Sequence, residues 1–235
     1  MSKNGLMIVF EGLDGTGKAT QVNLLQQFFA QQNLDENIMT QTVIYDFPRY
    51  YGNFWGKTVG RMLNREFGSD INPYLRTPFY LLDQAEACKT MREDLANGKI
   101  VICNRYMTSS MIFQTALLRS PKAKSEYVQW LEEASYIHLQ MLRPDVVFCL
   151  YVEPKIAQTL ISKKNSRGYI KGKKKDMNEE NLKHQKNAGK DMLHFCKTRK
   201  NWLLINCMDG LNIKSPKAIN QMIVEKIKRY IKYIK

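Results

Sequence analysis

The chain has 235 residues, 44% of them hydrophobic, and a formal net charge of +14. That length suits one domain, residues 1–235, with a sizeable core, and no apolar run approaches the roughly 20 residues of a membrane span. The apolar stretch in MSKNGLMIVF meets glycine and charge too soon for a signal peptide, so the chain reads as cytoplasmic, with no membrane partner. Residues 6–10 form a short apolar run bounded by charge and glycine, read as a buried strand. After Lys18, the apolar residues Val22, Leu24, Leu25, Phe28 and Phe29 recur at helical spacing to about residue 32. Residues 40–47 read as a second strand, and 100–103 as a third, after the helix stop Asn97-Gly98. Residues 146–152 and 202–207 read as the fourth and fifth. Helical patterns occupy residues 54–65, 77–96, 108–118, 125–142, 179–197 and 216 onward.

Strands alternating with helices predict an α/β fold. Parallel strands need crossover helices, so the sheet is covered on both faces. Ligands then belong at the carboxyl ends of the strands. That places residues 11–18, 47–49 and Asn104-Arg105 on one edge, although they are far apart in sequence.

The charge is unevenly placed. Residues 154–200 hold twelve lysines and two arginines against four carboxylates, a net of +10. Such a field steers a small polyanion or holds nucleic acid, and a solvated basic face is the plain alternative. Within it, KKNSRGYIKGKKKD (residues 163–176) is a glycine-punctuated basic loop suited to cover a site. The basic residues lack the aromatic interleaving of a single-strand binder, so nucleic acid is not the expected partner. Near the C-terminus, Ile219, Ile223, Ile227, Tyr230 and Ile234 share a helix face that reads as core. Cys88, Cys103, Cys149, Cys196 and Cys207 form no CxxC pair, and His138, His184 and His194 no HxxxH pair, so no structural metal site is expected.

FEGLDGTGKATQ (residues 10–21) carries the first chemistry. Gly12, Gly17 and Lys18 fit G-x-x-x-x-G-K. Glycines let successive backbone N–H groups turn onto phosphate oxygens, and the helix start behind them favours anions. The loop follows a predicted strand and opens a predicted helix, as a phosphate loop must. Ala19 sits where a hydroxyl would hold Mg²⁺. Thr20 is rotated about 100° round the helix, and Mg²⁺ keeps several waters in any case; the metal ligands are left open. Neither the third strand (VICNRY) nor the fourth (FCLYVEP) ends in the aspartate of a hydrolytic P-loop enzyme. The third offers Arg105, whose planar fork suits phosphate.

FEGLDGTGK, FPRY, NPYLRTPFYLLDQAE, GKIVICNRYMTSSMIFQ and RPDVVFCLYVEP resemble thymidylate kinases, P-loop nucleoside-monophosphate kinases that convert dTMP and ATP to dTDP and ADP. The resemblance implies a three-layer P-loop kinase fold: a five-stranded parallel sheet, helices on both faces and a basic lid at about residues 163–177. It implies ATP and Mg²⁺, a homodimer, and ATP on Gly12, Leu13, Asp14, Gly15, Thr16, Gly17, Lys18, Ala19 and Thr20. Asp14 falls where the family carboxylate contacts the acceptor's sugar hydroxyl. Phe47 and Arg49 flank the acceptor nucleotide, with Arg49 toward its phosphate, and Tyr80 stacks on the base. Arg105 matches the family's strand-end arginine. Ser109, Ser110 and Gln114 complete the acceptor set, and Arg167 supplies the lid arginine near Lys163, Lys164 and Lys171. Lys18, Arg105 and Arg167 are then the catalytic cations. Asn104 replaces the usual aspartate, Gln84 stands where the family arginine reads the thymine edge, and Ser110 occupies a position often asparagine. Those departures keep two alternatives open: a kinase of another or modified deoxynucleoside monophosphate, and a nucleic-acid-binding or regulatory protein with a degenerate loop.

Overall fold

A computed structural model describes residues 5–36, 41–68, 70–162 and 182–231. In chain order the elements are β1 (Leu6–Gly12), α1 (Lys18–Glu36), β2 (Thr42–Asp46), α2 (Phe54–Leu63), α3 (Pro73–Ala96), β3 (Ile100–Asn104), α4 (Met107–Thr115), α5 (Pro121–Glu133), β4 (Val146–Tyr151), α6 (Pro154–Ser162), α7 (Leu182–Thr198), β5 (Trp202–Asn206), a small hairpin of β6 (Met208–Asp209) and β7 (Asn212–Ile213), and α8 (Pro216–Ile231). The five predicted strands form one parallel sheet in the order β2-β3-β1-β4-β5. β1 is central and wholly buried, which explains its unbroken apolar run: with helices on both sides it has no wet face.

Alternate residues of β1, β3 and β4 feed two cores. Met7, Val9, Val101, Cys103, Val147 and Cys149 face α3, α4 and α7, and α5 adds Tyr127 and Leu131. Ile8, Phe10, Ile102, Phe148 and Leu150 face the other way, toward α1 and α8, where Ile219, Ile223 and Ile227 meet them. The expected core face of α8 is therefore present up to Tyr230; Ile234 lies outside the described residues. Each fully buried Leu, Ile or Phe contributes about 1.5–3 kcal/mol, so the centre of the sheet is held from both sides. Among the described residues, no helix is long and apolar enough to cross a membrane.

The helices depart from expectation in four places. α3 starts at Pro73 rather than residue 77, because the Asn72 side chain caps it, accepting from Tyr74 N–H at 2.9 Å, and Pro73 suits a first helical turn. α5 starts at Pro121 behind the cap Ser120 and ends at Glu133 in a π turn, Ala134–His138, instead of running to residue 142. α6 was not expected at all. α1 runs on to Glu36. The predicted start of α7 at residue 179 and the lid at residues 163–177 fall largely or wholly outside the described residues.

Candidate active site

β1 ends at Gly12, whose φ is +153°, and the turn that follows uses Gly15 and Gly17 at φ +83° and +84°. Only glycine takes these conformations without strain. Gly12 has a second reason: a Cβ there would meet Leu150 O at 2.7 Å and Thr16 Oγ1 at 2.8 Å. Thr16 Oγ1 donates to Leu13 O at 2.8 Å and closes the turn from inside. Lys18, the first residue of α1, folds its ammonium back over the loop, donating to Gly12 O at 3.0 Å and Leu13 O at 2.9 Å. We expect Gly12→Ala to lose on the order of 2 kcal/mol or more from strain and collision, lowering Tm by roughly 4–8 °C. Gly98→Ala is the calorimetric control for positive φ without collision, since Gly98 has φ +75° and nothing near its Cβ position.

Arg105 follows β3 in a left-handed conformation, φ +69°. Its backbone N–H donates to Phe10 O at 3.0 Å, as if the β1–β3 ladder continued one rung. The guanidinium lies 5.0 Å from the Phe113 ring centroid, donates to Asp14 Oδ1 at 2.5 Å and to Ser109 Oγ at 3.3 Å, and stands 4.0 Å from Glu11 Oε2. Glu11 is buried and accepts from Tyr106 N–H at 3.2 Å, Thr108 Oγ1 at 2.7 Å and Ser109 Oγ at 2.6 Å. Burial raises the Glu11 carboxyl above its ordinary value, with Arg105 and the two hydroxyls pulling it back. Burial works against charge on Arg105, but Asp14 and Glu11 outweigh it, so the guanidinium is held charged more firmly than an ordinary arginine.

The loop and this arginine open on one cavity of about 410 Å³. Asp14, Gly15, Gly17, Lys18 and Ala19 line one end, and Phe47, Tyr80, Gln84, Ser109, Ser110 and Gln114 line it with Arg105 between. Phe47 is fixed by its own ladder-like bond, N–H to Asn104 O at 3.0 Å. Gln84 and Gln114 are each 3% exposed, and the carbonyl oxygen of each has no hydrogen-bond partner among the described residues. A cavity with phosphate-binding groups at one end, and an aromatic ring with two buried amides on its wall, is built for a nucleotide.

A family model described as thymidylate kinase matches residues 10–214. The chain belongs to the thymidylate kinase family. It is 32% identical over 157 residues to the thymidylate kinase of Symbiobacterium thermophilum, covering 65% of each chain. It is 28% identical over 158 residues to that of Caenorhabditis elegans, covering 66% of each. The chain thus spans about 65% of the length of these curated relatives. The solved thymidylate kinase of Candida albicans superposes with a TM-score of 0.72 at 18% identity, over 98% of this chain and 94% of that one, and shares the fold.

Against the family pattern, two expected placements need comment. Arg49, expected at the acceptor's phosphate, is not among the cavity-lining residues. Its backbone N–H donates to Asp83 Oδ2 at 2.9 Å and its Nε to Oδ1 at 3.0 Å; Nη2 also reaches Asp83 O, with Glu86 at 3.7 Å. Asp83 on α3 is fully buried and would be costly without a cation, and Arg49 fills that need. Arg167, Lys163, Lys164 and Lys171 lie outside the described residues. Within the loop, Gly12, Leu13 and Thr16 shape the turn, while Thr20 points out on the exposed side of α1.

Sequence reasoning missed Asp46, Tyr50, Tyr51 and Phe113 on the cavity wall. Asp46 is the informative one. It ends β2, stands opposite Asn104 in the parallel register, and accepts from Asn104 Nδ2 at 2.8 Å. Asp46 keeps exposed surface, and partial desolvation in the cavity mouth raises its carboxyl, while the Asn104 hydrogen bond, Arg105 and Lys18 act the other way. A carboxylate near the end of a predicted parallel strand was the available signal: Asp46 is next to last in the expected strand 40–47 and last in the observed one.

Proposed function

We propose that the protein transfers the γ-phosphoryl group of ATP to dTMP, giving dTDP and ADP for deoxynucleotide synthesis. The carrying observation is the single cavity in which Lys18 and Arg105 stand between a glycine-turned phosphate loop and the wall of Tyr80, Gln84 and Gln114. Family membership and the relatives named thymidylate kinase support the same reading.

The donor triphosphate lies along the amides of residues 12–18, at the start of α1. Lys18 exchanges its two carbonyl partners for β- and γ-phosphate oxygens. Arg105, already aligned by Asp14 and Ser109, places its fork between the transferring and accepting phosphates. The acceptor's phosphate oxygen is ionised at neutral pH, so it attacks the γ-phosphorus without a general base. A new P–O bond forms, the bond to the β–γ bridging oxygen breaks, and ADP departs with that electron pair. Magnesium, when bound, neutralises charge on the β- and γ-oxygens. Tyr80 stacks on the base, and the amides of Gln84 and Gln114 meet its polar edge, since a primary amide both donates and accepts.

A cytoplasmic setting and a homodimer belong to the same proposal. The five cysteines are all free thiols, as a reducing compartment favours. Exposed Phe54 and Leu75, on α2 and α3, are apolar surface that a second copy could cover.

A panel of nucleoside monophosphates with ADP release as the readout tests the activity. We expect dTMP to rank first by kcat/KM. The reading fails if no acceptor stimulates ADP release, or if another monophosphate ranks far above dTMP.

A further inference from the structure

A hydroxyl and a carboxylate that P-loop enzymes commonly use on the magnesium side are missing from this chain, although the amide oxygen of Asn104, buried and without a partner among the described residues, remains at the β3 position. The position after the loop lysine is Ala19 rather than serine or threonine, and β3 ends in an amide, Asn104. Among the described residues, no group of three or more His, Cys, Asp or Glu side chains gathers to hold an ion. An ion that retains several waters needs no such cage; one well-placed carboxylate beside the phosphates suffices.

The sheet supplies one, displaced by a strand. Phe10, Asn104 and Asp46 stand in one register across β1, β3 and β2, so their side chains leave the sheet on the same face. Phe10 belongs to the core packed against α1, which makes this the face where α1 begins. Asp46, Lys18 and Ala19 line the same cavity. The other two carboxylates near the phosphates are engaged: Asp14 by the Arg105 guanidinium at 2.5 Å, and Glu11, buried, by two hydroxyls and the Tyr106 amide. Asp46 instead has a neutral amide on Oδ1, at 2.8 Å from Asn104 Nδ2. That bond fixes the carboxylate plane and neutralises none of its charge. The oxygen donors match the preference of a hard divalent cation.

We infer that Asp46 is the metal-side carboxylate of this enzyme, holding the magnesium of the metal–ATP complex, directly or through a bound water, in place of the missing β3 aspartate and loop hydroxyl, with Asn104 serving to orient it. The inference rests on the kinase reading above and gives Asp46 a role that reading does not need.

The test is Asp46→Asn, which keeps an acceptor for Asn104 Nδ2 and removes the charge. Mn²⁺ serves as the probe: its binding to the protein–ATP complex is followed by electron paramagnetic resonance, and metal-free ATP binding by calorimetry in chelator. We expect Mn²⁺ affinity to fall roughly tenfold to a hundredfold, the range found when a metal's supporting groups are removed. Metal-free ATP should bind as well as before or better, because a carboxylate facing phosphate has gone. A structural role would lower both affinities together. The inference is overturned if Mn²⁺ affinity is unchanged or both affinities drop in parallel, and Asp46→Ser repeats the measurement should D46N fold poorly. If the wild-type protein binds ATP and phosphorylates dTMP while D46N holds Mn²⁺ normally, this inference alone fails; if the wild type binds no ATP, the kinase reading fails with it.

Discussion

If the protein is the kinase proposed above, Lys18→Ala is expected to leave a folded protein whose ADP release with ATP and dTMP falls by roughly 10²–10³-fold, the scale seen when a donor aimed at developing charge is removed. Lys18 is 8% exposed, and its ammonium is held by two carbonyl oxygens of the loop. These bonds come from a charged ammonium and are worth about 1.5–3 kcal/mol each, of which alanine, the best helix former, recovers part at the start of α1. The measurement is a coupled assay beside a thermal melt. If the variant still melts cooperatively and turnover collapses at a temperature where it is folded, the role holds; a rate within tenfold of wild type removes Lys18 from the mechanism.

Arg105→Ala should damage both rate and stability, because one guanidinium serves two carboxylates and the reaction. Asp14 at 2.5 Å loses its hydrogen-bonded cation, and buried Glu11 loses the positive charge 4.0 Å away. Breaking a buried pair from one side typically costs about 3–5 kcal/mol, and the loss of a phosphate-bridging arginine about 10³–10⁵ in rate. The stability loss should depend on pH with a definite sign. The folded-state pKa of Glu11 lies above its ordinary value of 4.5, chiefly through burial, and removing Arg105 raises it further. A group of this kind favours folding below its unfolded pKa and loses that contribution as pH rises through its folded pKa. The Tm gap between R105A and wild type should therefore be widest at neutral pH and narrow on acidification, as Glu11 takes up a proton and needs no cation. A gap that stays constant or widens in acid would exclude Glu11 as the destabilised group. Arg105→Lys keeps the charge and loses the fork; it should melt close to wild type and still lose roughly 10²-fold in rate.

Much of the fold is legible in the sequence because buried parallel strands are unbroken apolar runs, and 6–10, 100–103 and 146–152 could be little else. The phosphate loop is legible for a different reason: its chemistry is local, carried by glycines within a single turn. What could not be read was set elsewhere. Pro78 obscures α3, although Asn72-Pro73 is a good start signal and a single proline removes just one hydrogen bond from a helix of 24 residues. The π turn at Ala134–His138 inserts a residue without changing which residue types are apolar, so periodicity cannot register it. α6 follows β4 after two residues and opens with Pro154, a legible cue hidden beside the charge-rich stretch that follows. In the site, Arg49 and Asp83 are 34 positions apart, and Asp46 and Asn104 are 58 apart. Sheet order and register join the second pair, and a side chain's competing partners are known only once the fold has brought them near.

The Arg105 and Phe47 amides both end on strand carbonyls, those of Phe10 and Asn104. The backbone positions of these two residues are thus inherited from the register of the sheet. Truncation of Ile102, deep in β3 and fully buried, should then cost about 2–5 kcal/mol and also shift the cavity wall that hangs from the same strand, although Ile102 does not itself line the cavity.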